Sequence, residues 1–316
     1  MKNFADRLTD RIKQLNNPTV MGLDPMLSYI PDYLLTEWRN EVPNNMQQAS
    51  AMAIFDYNRL LIDSVCDIVP AIKPQFAYYE MYGIHGIMAL IKTIKYAQDK
   101  GMLVIADAKR NDIGSTASAY AEAILGQTKI IDDTTPAMFN ADCVTVNGYL
   151  GLDGIKPFLD VSERVGKGIF VLVRTSNPSA GDIQDLELKD GKTVYQTMAA
   201  KVNTWGETLV GDNGFSSVGA VVGATWPEQA VEARKIMPNN LILVPGYGAQ
   251  GAGADAAVAS FTSEGTGSIV NASRSLMCAW KKRTDLEVSE FQKATRDEAI
   301  DMRNSLNSAL KDRKYV

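Results

Sequence analysis

Residues 102–120 read MLVIADAKRNDIGSTASAY, and the change of character halfway along this stretch organises the reading of the whole chain. Met102, Leu103, Val104 and Ile105 form a short apolar run behind Gly101, as a central strand of a parallel sheet does. Ala106 ends the run, and Asp107, Lys109 and Asp112 then fall within six positions, followed by Gly114, Ser115 and Thr116. On an extended chain Asp107 and Lys109 project to one face and Ala108 to the other. An apolar body with this end places an acid, an ammonium and a second acid where a parallel sheet opens onto its ligand crevice. The same residues also read as a solvated strand end, with Asp112 N-capping a helix through Ala117 to Leu125.

Outward from this unit the pattern repeats. Short apolar runs occur at Thr19–Leu23, Ile68–Ile72, Met102–Ala106, Cys143–Val146, Ile169–Val173, Val218–Val222, Leu241–Val244 and Ser268–Val270. Amphipathic stretches lie between them: Ile54, Phe55, Leu61, Ile62 and Val65 mark one apolar face, and Ile84, Ile87, Met88, Ile91 and Ile94 mark another. Strand alternating with helix means parallel pairing. Eight such units without a composition break predict an α/β fold, a single-domain (β/α)8 barrel of the TIM type spanning residues 1–316. From about Asp285 a charged amphipathic stretch with Phe291, Ile300, Leu306 and Leu310 predicts a C-terminal packing helix. Three connections are long, at Pro25–Asn45, Thr128–Asn140 and Thr175–Thr193, and Asp190-Gly191 in the last would turn a small hairpin.

Composition narrows the function. A net charge of -5 without basic blocks argues against a nucleic-acid or membrane-surface partner and for small-molecule chemistry. Three scattered cysteines lack metal or redox spacing, and no signal-like or membrane-spanning apolar run occurs, so a reducing, cytoplasmic setting is expected. Polar residues follow the apolar runs in register: Asp24 after the first, Lys73 and Gln75 after the second, Asn147 after the fourth, and Arg174 to Asn177 after the fifth. One such charge is ordinary, but several on one rim of a barrel suggest a site. After the seventh run comes PGYGAQGAGAD (Pro245 to Asp255), and after the eighth NASRS (Asn271 to Ser275). Glycine backbone N–H groups and a bidentate Arg274 would cradle a phosphate; the alternative is a pair of flexible turns with a surface arginine.

DAKRNDIGSTASAY, with GLDP upstream and PGYGAQGA and ASRS downstream, resembles the orotidine 5′-phosphate decarboxylase family, in particular its longer bacterial subgroup. The resemblance runs from Asp24 to Arg274. It implies a (β/α)8 barrel that turns orotidine monophosphate into uridine monophosphate with neither metal nor organic cofactor. By the same resemblance Lys109 is the proton donor to pyrimidine C6 and Asp107 faces the substrate carboxylate. Asp112, with Ile113 and Thr116, would reach in from the partner subunit of a homodimer with shared sites. Lys73 and Asp24 would contact the ribose, Ser176 the pyrimidine amide edge, Gln250 base and phosphate, and Arg274 the phosphate. Asn147 and Pro245 complete the expected substrate-binding set. Ser273 stands where relatives often carry glycine.

The chemistry fits these charges. Loss of carbon dioxide from C6 leaves an electron pair in the ring plane with no adjacent sink, so fixed charge must stabilise it. Three rivals remain open. Asp24, Asp107 and Asp112 could gather magnesium, as in the similar sugar-phosphate decarboxylases and hexulose-phosphate synthases; Lys109 or Lys73 could form a Schiff base; or the barrel could bind a nucleotide without catalysis. His85, the single histidine, falls at the start of an amphipathic helix and is expected to be a helix-face residue.

Overall fold

The computed structural model describes residues 2–248 and 253–313. Eight parallel strands close into a barrel in chain order: β1 (Thr19–Leu23), β2 (Ala71–Pro74), β3 (Leu103–Arg110), β4 (Cys143–Val146), β5 (Gly168–Arg174), β6 (Ser216–Val222), β7 (Asn240–Val244) and β8 (Ser268–Ala272), with β8 returning to β1. Because side chains alternate along a strand, each strand feeds two apolar layers. Val20, Ala71, Ile105, Cys143, Phe170 and Ile269 belong to one buried cluster, whereas their neighbours Met21, Ile72, Val104, Val144, Ile169 and Val270 belong to another that includes the surrounding helices. Burial on both faces is why the strands read as unbroken apolar runs.

The first helix, Phe4–Leu15, joins the first of these clusters through Phe4, Ala5 and Leu8. Phe4 meets Phe170 edge-on, with ring centroids 6.0 Å apart. Glycine at 168 makes room for this contact, since a Cβ there would sit 2.4 Å from the Phe4 ring.

Several expectations change in detail. The second strand starts at Ala71 rather than Ile68, because Ile68 and Val69 donate back to the Val65 carbonyl at the end of the preceding helix. The hairpin at Asp190-Gly191 forms, with Leu188 N–H donating to the Lys192 carbonyl at 2.8 Å and Gly191 at φ +78°. The C-terminal helix is Phe291–Asp312; residues 285–290 instead pair Asp285 with Arg283 and close a short 3-10 turn. Ile113, not Asp112, is the N-cap of the Gly114–Ile124 helix.

The Gly83–Asp99 helix buries Gly86, Ala89, Leu90, Thr93, Ile94 and Ala97, and leaves Ile84, Met88 and Ile91 exposed. Small residues win that face because the packing is tight: a Cβ at Gly86 would lie 1.9 Å from the Tyr79 carbonyl oxygen. His85, as expected, lies on this helix, part-buried, with its Nε2 3.4 Å from Asn45 Nδ2.

Candidate active site

The carboxyl ends of the strands surround a cavity of about 710 Å³. Asp24 follows β1, Lys73 lies in β2, and Asp107 and Lys109 lie in β3; all four line it. Asp107 is 6% exposed and its carboxylate accepts from four donors. Lys73 Nζ (2.7 Å) and Gln75 Nε2 (3.0 Å) reach Oδ2, while Lys109 Nζ (2.6 Å) and Thr145 Oγ1 (2.9 Å) reach Oδ1. Burial alone would raise the Asp107 pKa, but Lys73 and Lys109 outweigh it and hold the carboxyl well below the usual range. Lys73 is buried as well; burial works against its charge, yet Asp107 and then Asp24 raise its pKa above the ordinary lysine value. Lys109 differs in access. Its side chain is 46% exposed, against 6% for Lys73, so its ammonium remains open to whatever enters.

The backbone explains how Lys109 is aimed. The β3–β4 ladder runs Ala106 to Val144 and resumes at Arg110 to Val146, so three residues of β3 bulge opposite the single residue Thr145. Within the bulge Lys109 adopts φ +47°, a left-handed conformation that costs a non-glycine residue about 1 kcal/mol or more. Its N–H donates to Thr145 Oγ1 at 3.0 Å. Asp107 and Lys109 thus converge as the two-residue spacing suggested, but through a bulge rather than along a regular strand.

Other expected residues divide into three groups. Ser176, Pro245 and Arg274 line the same cavity, and one oxygen of Asp24, Oδ1, is buried with no hydrogen-bond partner among the described residues. Asp112, Ile113, Thr116 and Asn147 do not line it: Asp112 Oδ1 accepts from the Ile113 N–H, Ile113 and Thr116 are exposed, and Asn147 Oδ1 accepts from the Tyr149 N–H. Gln250 lies outside the described residues. Among those residues no three His, Cys, Asp or Glu side chains converge as a metal ion would require.

Arg174 turns away from the rim role. It is 1% exposed and its guanidinium grips Gln184 (3.2 Å) and Asp185 (3.0 Å) beneath the Trp226 ring, pinning the long loop after β5. Thr145, and the apolar wall of Leu172, Val221 and Leu243, are site residues that sequence reading passed over. A polar residue alternating with valines in a strand was the available signal for Thr145; nothing distinguished the apolar three from barrel filling.

Comparison with known proteins gives one answer. The profile of the orotidine 5′-phosphate decarboxylase / HUMPS family matches residues 54–287. The chain is 40% identical over 310 residues to an orotidine 5′-phosphate decarboxylase of Caldicellulosiruptor saccharolyticus, covering 98% of this chain and all of the relative. One from Rhodopirellula baltica is 42% identical over 309 residues, covering 97% and 99%. The OMP decarboxylase structure from Leishmania donovani superposes with a TM-score of 0.72 at 28% identity, covering 98% of this chain and 100% of that one.

Proposed function

Since the chain belongs to the orotidine 5′-phosphate decarboxylase family, we propose that it converts orotidine 5′-monophosphate to uridine 5′-monophosphate and carbon dioxide, the last step of pyrimidine biosynthesis. The observation that carries the residue assignment is the Lys73–Asp107–Lys109 array at the cavity, with one ammonium buried and the other accessible. As the bond from C6 to the carboxylate breaks, its electron pair stays on C6 and a proton from Lys109 Nζ is delivered to that carbon. An ammonium about 4 Å from the developing anion is worth roughly 4 kcal/mol at an effective dielectric near 20. Asp107 lies against the departing carboxylate, whose repulsion ends as neutral carbon dioxide forms. Arg274 takes the phosphate, Asp24 and Lys73 the ribose, and Ser176 the amide edge of the pyrimidine. The distant phosphate contact is then available to hold the ring at the array.

The protein acts as a homodimer. Met81, Ile84, Met88, Ile113, Tyr149 and Leu152, exposed by 68, 73, 51, 55, 80 and 49%, come from the segments after β2, β3 and β4, the region that also carries Asp112 and Thr116. Exposed apolar side chains on three consecutive connections are what a second copy would cover, delivering Asp112 to the other subunit's Lys109. The three described cysteines are free, which fits a reducing cytoplasmic setting.

A decarboxylation assay on orotidine 5′-monophosphate with excess chelator tests the activity. Undiminished turnover is expected; loss on chelation would favour a metal-bound enediolate, and borohydride trapping of substrate on lysine would favour a Schiff base. For the shared site, mixed dimers of inactive Lys109→Ala and Asp112→Ala subunits should recover part of the activity. No recovery after verified subunit exchange would leave the site within one chain.

A further inference from the structure

We propose that Thr145 is a positioning residue that holds the catalytic ammonium in place by clipping the β3 bulge shut. The inference rests on the assignment of Lys109 under Proposed function and goes beyond it, to what keeps that side chain aimed.

In a regular parallel pair alternate residues of a strand find backbone partners on the same neighbour, and the residues between them bond to the strand on the other side. Here Asp107, Ala108 and Lys109 stand opposite Thr145 alone; Asp107 pairs on the β2 side, where its carbonyl accepts from the Phe76 N–H at 3.2 Å, and the Lys109 N–H donates to a side chain instead of a ladder carbonyl. The Thr145 side chain takes over. It is 1% exposed, and its Oγ1 accepts from the Lys109 backbone N–H at 3.0 Å while lying 2.9 Å from Asp107 Oδ1. The direction of both bonds is forced. A backbone N–H can only donate and an ionised carboxylate can only accept, so the single hydroxyl proton points to Asp107 and the lone pair to Lys109. One hydroxyl therefore ties the strained backbone of Lys109 to the carboxylate that its own ammonium also contacts, at 2.6 Å. The loop so closed runs from Thr145 to Asp107 Oδ1, to Lys109 Nζ, along the lysine side chain to its backbone, and back to Thr145.

A methyl in place of the hydroxyl keeps the shape and removes both bonds. The Lys109 N–H then loses its acceptor, and the left-handed turn loses the contact that balances its strain. The ammonium shifts, while the phosphate contact at Arg274, on the β8 side of the cavity, is unaffected.

Steady-state kinetics on Thr145→Val and Thr145→Ser dimers, alongside binding of uridine 5′-monophosphate, tests this. Misplacing a reacting group by about 1 Å costs on the order of a hundredfold, so Thr145→Val should lose about that in kcat while KM and uridine monophosphate affinity stay within about threefold. Thr145→Ser keeps the hydroxyl and should remain within about fivefold of the parent. A kcat for Thr145→Val within about twofold of the parent overturns the proposal, as does an equal loss in the valine and serine variants. If the valine variant does not fold by circular dichroism, Thr145→Ala is read by the same criteria. Should the parent itself fail to decarboxylate, the functional assignment falls first, and the crystal structure of the folded variant that lacks the hydroxyl decides this inference. Lys109 leaving the positive-φ region supports it; Lys109 unmoved overturns it.

Discussion

Two buried aspartates at opposite ends of the barrel have nearly the same partners. At the mouth Asp107 accepts from two lysines, the Gln75 amide and a hydroxyl. At the floor Asp142, 4% exposed, accepts from Arg7 (2.8 Å), Lys167 (3.4 Å), the Gln98 amide (3.2 Å) and the Val104 N–H (2.9 Å). Both carboxyls are held below their ordinary range: burial opposes this in each, and the neighbouring cations outweigh it. A cavity of about 600 Å³ even lies beside the floor cluster. The lysines separate the two ends. Burial lowers the Lys167 pKa, and Arg7 beside it adds to that, whereas the acids around Lys73 raise its own. The floor is a tie between the first helix and the sheet; Asn140, which accepts from Gln98 and Lys167 there, has φ +56°, but none of the floor's charged residues has a positive φ. The mouth holds its second lysine in a strained bulge and leaves it accessible. A compensated buried carboxylate is therefore common to both ends; what distinguishes the mouth is the aimed and exposed ammonium beside it.

Four measurements would break or sharpen this contrast. Lys109→Ala should lower kcat at least about a thousandfold, the equivalent of roughly 4 kcal/mol, with the melting temperature little changed. A residual rate within tenfold of the parent would make the mouth a structural tie like the floor. Asp142→Ala should do the reverse, destabilising the fold by about 3 kcal/mol in urea titration because Lys167 is left buried without its acid, while kcat holds. A fall in kcat in protein still fully folded would erase the distinction. Arg274→Ala should raise KM by about ten- to a hundredfold, the worth of a charge-assisted phosphate contact, and unaltered kinetics would remove the phosphate assignment.

The smallest effect is in the pH profile. With Asp107 held low and Lys73 held high, kcat should be flat from about pH 5 to 9, and kcat/KM should fall below about pH 6, where the substrate phosphate dianion takes up a proton. An acid limb in kcat near neutrality would contradict the ionised array. The sign for stability follows from the same directions. Both aspartates have folded pKa values below the unfolded value of about 3.9, so their contribution is full at pH 7 and disappears as the pH falls through the folded values.

Most of the barrel was legible because burial on both faces of a strand leaves an uninterrupted apolar run, and β1 and β4 have the bounds expected of them. The rim charges at 24, 73, 107 and 109 were legible because each follows or ends such a run. The Gly83–Asp99 helix was misread at its face, since periodicity finds an apolar stripe without saying whether small residues pack closer. Asp142 and Thr145 escaped for a related reason. A lone polar residue next to a strand acquires meaning only from what faces it, and their partners lie up to 135 and 38 positions away.

By itself the sequence determined which residues are available: eight apolar runs, the acids and ammoniums at their ends, and a glycine-rich turn before an arginine. The tertiary structure alone decided which of two similar aspartates sits beside an accessible ammonium, because that depends on a local mismatch between adjacent strands. Strand pairing is a long-range event, and the bulge that aims Lys109 exists only once β3 has been laid against β4.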